Sequence, residues 1–467
     1  MSRREFPKDF IWGAATSAQQ IEGGRHAEGR GESIWDRFAS LPGKIADGSN
    51  PDIACDHYHR WSEDVDLMAS LGLKGYRFSL AWPRIMPTGR APINTPGLDF
   101  YDRLVDRLLA VGIAPFPTLY HWDLPQTLQD EGGWANREIV DHFCDYTEAV
   151  VRRLGDRVTH WVTHNEPWCI TTLGHEEGHH APGHKNPREA MAVAHHLLLS
   201  HGRATQVIRR EFPEAKVGLV NIHCPPQPRT SSAPDLNAAR WYDGFFNRWY
   251  LDPLFKGEYP ADAVADRVAA GHLPAGEMPF VQPGDMEIIA TDLDFLGLNY
   301  YSRIVMQAGP EGKPEAFVPV PREELTDMGW EVYPAGLTET LLRIRRDYAP
   351  PAIFIMENGA AYDVPADEDG RIRDTRRIAY LQGHLEAAHE ALAQGVPLAG
   401  YFTWSLLDNF EWGLGYEKKF GLFAVDPLTH NRIAKDSADW YRQVVTANAV
   451  PDAPEPTREG ENRASQT

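Results

Sequence analysis

Eight short apolar runs recur along this chain, and the stretches between them place apolar residues three and four positions apart. The runs fall at 10–16, 75–80, 113–119, 158–163, 216–222, 295–300, 352–356 and 398–403. Each is rich in β-branched or aromatic side chains and bounded by Gly, Pro or charge, the signature of a strand. The intervening pattern is helical. Tyr101, Leu104, Val105 and Leu108 share one helix face, and 190–210 reads as a second helix that ends before Pro213. Runs that are continuously apolar, not alternating, predict strands covered on both faces, as in a parallel sheet. Eight of them alternating with helices predict an α/β fold, a single (β/α)8 TIM barrel with long βα-loop insertions, over residues 1–450. The competing architecture is an open doubly wound sheet, but the Gly-rich phosphate loop it normally carries after the first strand is missing from the sequence. The Pro-, Gly- and charge-rich stretch 307–327 reads as a long loop, and 451–467, with almost no large apolar residue, is expected to be disordered.

A barrel delivers its chemistry at the C-terminal ends of its strands. Those ends carry Gln20, Arg77, His121 and Trp122, Asn165 and Glu166, Asn221, Asn299 and Tyr301, Glu357, and Trp404. Singly, each has an ordinary structural use, since amides cap turns and indoles fill gaps. Their convergence points further. Glu166, in Thr163-His-Asn-Glu-Pro167, and Glu357, in Glu357-Asn-Gly359, each follow a hydrophobic run. Two carboxyls on the ends of two strands are what acid/base and nucleophilic attack on a glycosidic bond requires, and the pair alone allows inversion or retention.

Composition changes the picture only at the margins. Hydrophobic residues at 42% and charged residues at 24% are ordinary globular values. An excess of 66 acidic over 46 basic residues gives a net charge of −20, which disfavours nucleic acid and anionic membranes as partners. Cys55, Cys144, Cys169 and Cys224 form no Cys-x-x-Cys pair and read as free thiols in a reducing compartment. Arg3-Arg4 has no apolar segment behind it, and no run reaches the ~18 apolar residues of a membrane span. A cytoplasmic location is expected.

The ordered motifs carry a resemblance. Asp9-Phe-Ile-Trp-Gly-Ala-Ala-Thr16, Gln20-Ile-Glu-Gly23, Tyr76-Arg-Phe-Ser79, Trp82-Pro-Arg84 and His121-Trp-Asp-Leu-Pro125 come first. Asn165-Glu-Pro167, Asn299-Tyr-Tyr301, Glu357-Asn-Gly359, Trp404-Ser-Leu-Leu-Asp-Asn409 and Glu411-Trp-Gly413 follow, with Lys435-Asp-Ser-Ala-Asp-Trp-Tyr441 near the end. The set resembles the family 1 glycoside hydrolases, the β-glucosidase family, over almost the whole chain. That resemblance implies Glu166 as acid/base and Glu357 as nucleophile of a retaining hydrolase, with Arg77 and Tyr301 holding Glu357. It implies hydrogen bonds to sugar hydroxyls from Gln20, His121, Trp122, Asn165 and Glu411, support from Asn299, a stacking floor at Trp404, and walls at Trp412 and Phe420. Trp168 and Trp330 match aglycone platforms, and Leu173, His180 and Asn221 are expected to narrow the entrance. Glu411 stands where phospho-β-glycosidases usually carry Ser with basic partners, so an unphosphorylated sugar is expected despite Lys418-Lys419. The implied partner is a small β-glucoside or oligosaccharide, without cofactor or metal, in a monomer or homo-oligomer. A broad β-glycosidase preferring β-galactosides or β-fucosides is the alternative, followed by a 6-phospho-β-glucosidase or a sugar-binding pseudoenzyme.

Three positions depart from the family pattern: Met356 for Thr, His164 for an apolar residue and Gln19 for an aromatic. Strand alternation predicts that Met356 points away from the side that Glu357 faces. One motif competes. His175-Glu-Glu-Gly-His179 matches the zinc-protease pattern, which needs both histidines on one face of a stable helix, but Gly174, Gly178 and Ala181-Pro-Gly183 argue for a loop rimming the sugar site.

Overall fold

The computed structural model describes residues 4–276 and 278–451, so most of the tail expected to be disordered lies outside the described residues. Eight parallel strands close a barrel: β1 Ile11–Ala15, β2 Gly75–Ser79, β3 Ala114–Tyr120, β4 His160–Asn165, β5 Lys216–Ile222, β6 Phe295–Asn299, β7 Ile353–Asn358 and β8 Leu398–Trp404. They run in sequence order, and β8 returns to pair with β1. The expected (β/α)8 barrel is what forms. Among the long helices are α1 His57–Ser70, α2 Thr95–Ala110, α3 Ile139–Leu154, α4 Pro187–Glu211, α5 Ala335–Asp347, α6 Thr375–Ala393 and α7 Asp436–Ala447. No helix among the described residues is long and apolar enough to cross a membrane.

Sequence spacing explains how the helices dock. In α2, Pro96 pre-sets the first turn, and Leu98, Tyr101, Leu104, Val105 and Leu108 are buried at helical intervals, forming one apolar stripe. The 25-residue α4 is started by Pro187 and by Asn186, whose side chain accepts from the Glu189 amide. Inside the barrel, Phe116, Val162, Val220, Phe295, Phe354, Met356 and Phe402 form a separate apolar plug. Burying each such side chain is worth about 1.5–3 kcal/mol. The plug is why the interior is a core and not a channel, and it sets the floor below the polar residues at the strand ends.

Three expectations are corrected. Strands β4 and β7 run past their apolar stretches to Asn165 and Asn358, because their polar ends stay in the ladder. Met356 does not point away from the interior: it packs in the plug, and a register shift between Ile355 and Glu357 lets the next residue face the mouth too. The stretch 307–327 is not structureless. Ile304–Ala308 pairs antiparallel with Pro314–Phe317 and parallel with Pro226–Pro228, making a small sheet over the barrel mouth.

The loops after β7 and β8 are pinned together. Arg377 of α6, 1% exposed, donates to the carbonyls of Ala360, Tyr362, Lys419 and Phe420. Asn358 donates to the Tyr300 carbonyl at 2.7 Å and accepts from the Tyr401 hydroxyl at 2.6 Å. Gly359 then passes so close to β8 that a Cβ there would lie 1.8 Å from the Trp404 carbonyl oxygen. Gly359→Ala is expected to destabilise the protein by at least about 2 kcal/mol through forced backbone movement, read as a lower denaturation midpoint. An unchanged midpoint would contradict this packing.

Candidate active site

A cavity of about 670 Å³ opens at the C-terminal ends of the strands. Fourteen of the predicted residues line it: Glu166, Glu357, Tyr301, His121, Trp122, Asn165, Trp404, Glu411, Trp412, Phe420, Trp168, Leu173, His180 and Trp330. Arg77, Asn299, Gln20 and Asn221 are buried but do not line it.

Two of those four organise the carboxyl pair from behind. Arg77, with no exposure, donates through Nη1 to Glu357 Oε1 at 2.5 Å and through Nη2 to Asn165 Oδ1 at 2.6 Å. Tyr301 donates its hydroxyl to Glu357 Oε2 at 2.5 Å. Asn299 Nδ2 bridges Glu166 Oε1 at 2.5 Å and Asn165 Oδ1 at 3.2 Å. Glu166 itself sits just past β4 in a left-handed conformation, φ 49°, with its amide bonded to the Val220 carbonyl. That costs backbone energy in a non-glycine residue and turns the carboxyl into the mouth.

The two carboxyls live in different fields. Glu357 has a cation and a hydroxyl donor on its two oxygens. Glu166 has only neutral donors, Asn299 and Cys169, whose Sγ lies 3.1 Å from Oε2. Burial first, and the Glu357 charge second, push the Glu166 carboxyl well above the ordinary range. Burial also raises Glu411, to about 8, with Glu357 and Glu166 adding to the shift.

Hydrogen-bond bookkeeping separates groups used by the protein from groups free for a ligand. Asn165 spends Oδ1 on Arg77 and Asn299, so its Nδ2 donates to His121 Nε2 at 3.1 Å. This assigns the His121 proton to Nδ1, which is buried without a partner. Burial, reinforced by Arg77, holds His121 neutral by pushing its pKa well below 6.5. Glu411 Oε2, Asn299 Oδ1 and Trp168 Nε1 are likewise unpartnered.

Three assignments need correction. Trp122 Nε1 donates to the Asn165 carbonyl at 2.9 Å, so the indole contributes a face and not a hydrogen bond. Gln20 is spent within the protein, donating to Asn409 Oδ1 and the Phe410 carbonyl and accepting from Ser17; a sugar hydroxyl would compete with these. Asn221 stays behind the wall because β5 reaches the cavity only from Ile222 onward. His164 and Gln19 also face elsewhere, His164 toward Ser200 and Gln19 toward Asp36. The zinc-protease arrangement does not form: His175 is buried in a π-helical turn, whereas the His179 side chain is 71% exposed.

Comparison with known proteins decides the family. The Glycosyl hydrolase family 1 model matches residues 2–450. The chain belongs to this family. Beta-glucosidase A of Acetivibrio thermocellus is 47% identical over 96% of this chain and all of its own length. The family 1 b-glucosidase structure from Thermotoga maritima superposes with a TM-score of 0.92 at 44% identity, covering 97% of this chain and all of that one. A Bifidobacterium breve protein described as a bifunctional beta-D-glucosidase/beta-D-fucosidase is 41% identical over 95% of this chain and 99% of its own.

Against that family frame, the sequence reading missed Cys169 and Arg377. Cys169 was discoverable, being one helical turn after Glu166; Arg377, on α6, touches the site only through loop carbonyls. The Glu411 environment generates a prediction. Its folded pKa near 8 lies above the unfolded carboxylate value, so ionisation removes stability as pH rises from the carboxylate range through about 8. Glu411→Gln cannot ionise, so its thermal stability should exceed the parent's by an increasing margin between pH 5 and 8.5. A margin independent of pH would be inconsistent with this burial effect.

Proposed function

We infer that this family 1 enzyme is a retaining β-glucosidase that removes terminal nonreducing β-D-glucosyl residues from cello-oligosaccharides and from aryl or alkyl β-glucosides. The observation that carries the mechanism is the unequal environment of the two carboxyls. Glu357, gripped by Arg77 and Tyr301, is suited to attack as a carboxylate. Glu166, buried beside that negative charge, is suited to hold a proton.

In the first step the Glu357 oxygen bonds to the anomeric carbon as the glycosidic bond breaks, and Glu166 gives its proton to the leaving oxygen. Forming the ester removes the negative charge on Glu357, and with it one cause of the raised Glu166 pKa. Glu166 can then accept a proton from water, which attacks the anomeric carbon and releases Glu357 with net retention. These two groups supply both nucleophile and proton transfer, so the reaction as written calls for no cofactor.

Recognition follows from the unspent atoms. His121 Nδ1 offers a donor, Glu411 Oε2 an acceptor, and the second Asn165 amide proton suits the 2-hydroxyl. The Trp404 ring supplies an apolar face, with Trp412, Trp122 and Phe420 around it. Trp168 and Trp330 line the same cavity and suit an aglycone. Glu411 together with Glu166 and Glu357 disfavours a phosphorylated sugar, and Lys418 and Lys419 are not among the lining residues. The unpaired state of the four cysteines supports a cytoplasmic location. The bifunctional relative keeps β-fucosides open as second substrates.

Hydrolysis of an aryl β-glucoside followed by proton NMR should release β-glucose first; α-glucose first would refute the retaining mechanism. Comparing kcat/KM on aryl β-glucoside, β-galactoside and β-fucoside ranks the sugars. Glu357→Gly should lose at least about 10⁴-fold in kcat, and azide should restore turnover as an α-glycosyl azide. Glu166→Gly with azide should give the β-glycosyl azide instead. Full activity in Glu357→Gly would overturn the nucleophile assignment.

A further inference from the structure

Outside the sugar chemistry, one group of ligating side chains is drawn together by the loop that follows β4. His175 lies near the end of the π-helical turn Cys169–Glu176, His184 lies in the following loop, and Glu189 lies in the first turn of α4. One ring nitrogen from each histidine and one Glu189 carboxylate oxygen lie within 4.8 Å of one another. His175 is 1% exposed. Its Nδ1 is 2.9 Å from the Ile170 carbonyl and must donate to it, which leaves Nε2 as a buried lone pair with no partner in the protein. His184 Nδ1 contacts Glu189 Oε1 at 2.6 Å, and the two imidazoles meet edge to face with centroids 5.5 Å apart.

We propose that His175, His184 and Glu189 bind one divalent transition-metal ion of the Zn²⁺ class. Two imidazoles and a carboxylate, with water completing the shell, form a recognised zinc donor set, whereas Mg²⁺ and Ca²⁺ require oxygen-rich sites. The Ile170 carbonyl fixes His175 as backbone carbonyls fix metal-ligating histidines, by taking the proton of the other ring nitrogen. Zinc bond lengths place ligand atoms about 3.4 Å apart, so the group must contract. The His184 and Glu189 side chains are 41% and 22% exposed and have room to close on the fixed His175. In binding, the ion replaces the His184–Glu189 hydrogen bond, and any proton on His184 leaves to solvent. The bound ion ties the turn carrying Cys169 and Leu173 to the start of α4. It thereby closes the loop that brings His179 and His180 to the cavity. This is not the zinc-protease pairing, because His179 takes no part.

The test uses untagged full-length protein stripped with a chelator. Calorimetric titration with ZnCl₂ should show one ion per chain, and Zn²⁺ should raise the melting temperature while Mg²⁺ does not. His184→Ala, a partly exposed position that should fold, should weaken Zn²⁺ binding by roughly a hundredfold or more and abolish the melting shift. His179→Ala should retain both. No Zn²⁺ binding by the parent, equal binding by His184→Ala, loss in His179→Ala, or an equal response to Mg²⁺ would each overturn the assignment.

Discussion

Arg77, fully buried in the middle of β2, is the cation around which the barrel mouth is arranged. Three buried carboxyls, Glu166, Glu357 and Glu411, face one cavity, and this guanidinium reaches only one of them directly. Its second arm is committed to Asn165, so its charge and geometry are fixed before any ligand arrives. Unequal access to Arg77 sets two chemically identical side chains in different surroundings: Glu357 beside a cation and a hydroxyl donor, Glu166 beside neutral donors. A buried ion pair of this kind is weak evidence of stability, because desolvation offsets much of the attraction. Here its consequence is functional asymmetry, and the apolar plug and outer core hold the fold around it.

Regular strands cannot by themselves aim the two carboxyls at one point. Period-two alternation would send Met356 and Glu357 to opposite faces, yet both face inward, because the β7 register shifts between them. Just past β4 the same re-aiming is done by the left-handed Glu166, and Trp122 and Trp412 at the cavity wall also have positive φ, 77° and 50°. These departures from regular geometry cluster where side chains must converge, which is where surrounding structure is able to hold strained backbone.

The sequence carried the barrel well because strand burial on both faces leaves continuous apolar runs, as at 216–222, where expected and observed strands coincide. It also carried most of the cavity wall, since barrel topology puts strand ends on one face. What it could not carry was the direction of individual polar atoms. Trp122 and Gln20 sit in the right motifs, but their hydrogen-bonding groups are taken by Asn165, Asn409 and Phe410. Such commitments depend on partners up to 390 residues away, beyond any local pattern. The bulge at Met356 and the small sheet at 304–317 were hidden for the same reason: each is set by pairing with another segment.

That division between spent and unspent atoms also explains how one site can be rigid and still bind. Asn165 spends its carbonyl oxygen twice and one amide proton on His121, which fixes the imidazole tautomer and leaves Nδ1–H without a partner in the protein. Glu411 keeps one oxygen unpartnered at the cost of a raised pKa, a penalty that hydroxyl donors from a sugar would relieve. These are groups that the protein itself leaves unpaired, beside carboxyls whose pKa values are raised by burial and by one another's charge. A ligand with hydroxyls in the matching places gains by satisfying them, and one lacking a hydroxyl leaves a buried group unpaired. Aromatic walls accept any apolar face, so discrimination between epimeric ligands in a site of this kind rests on which of its few buried polar atoms each ligand can reach.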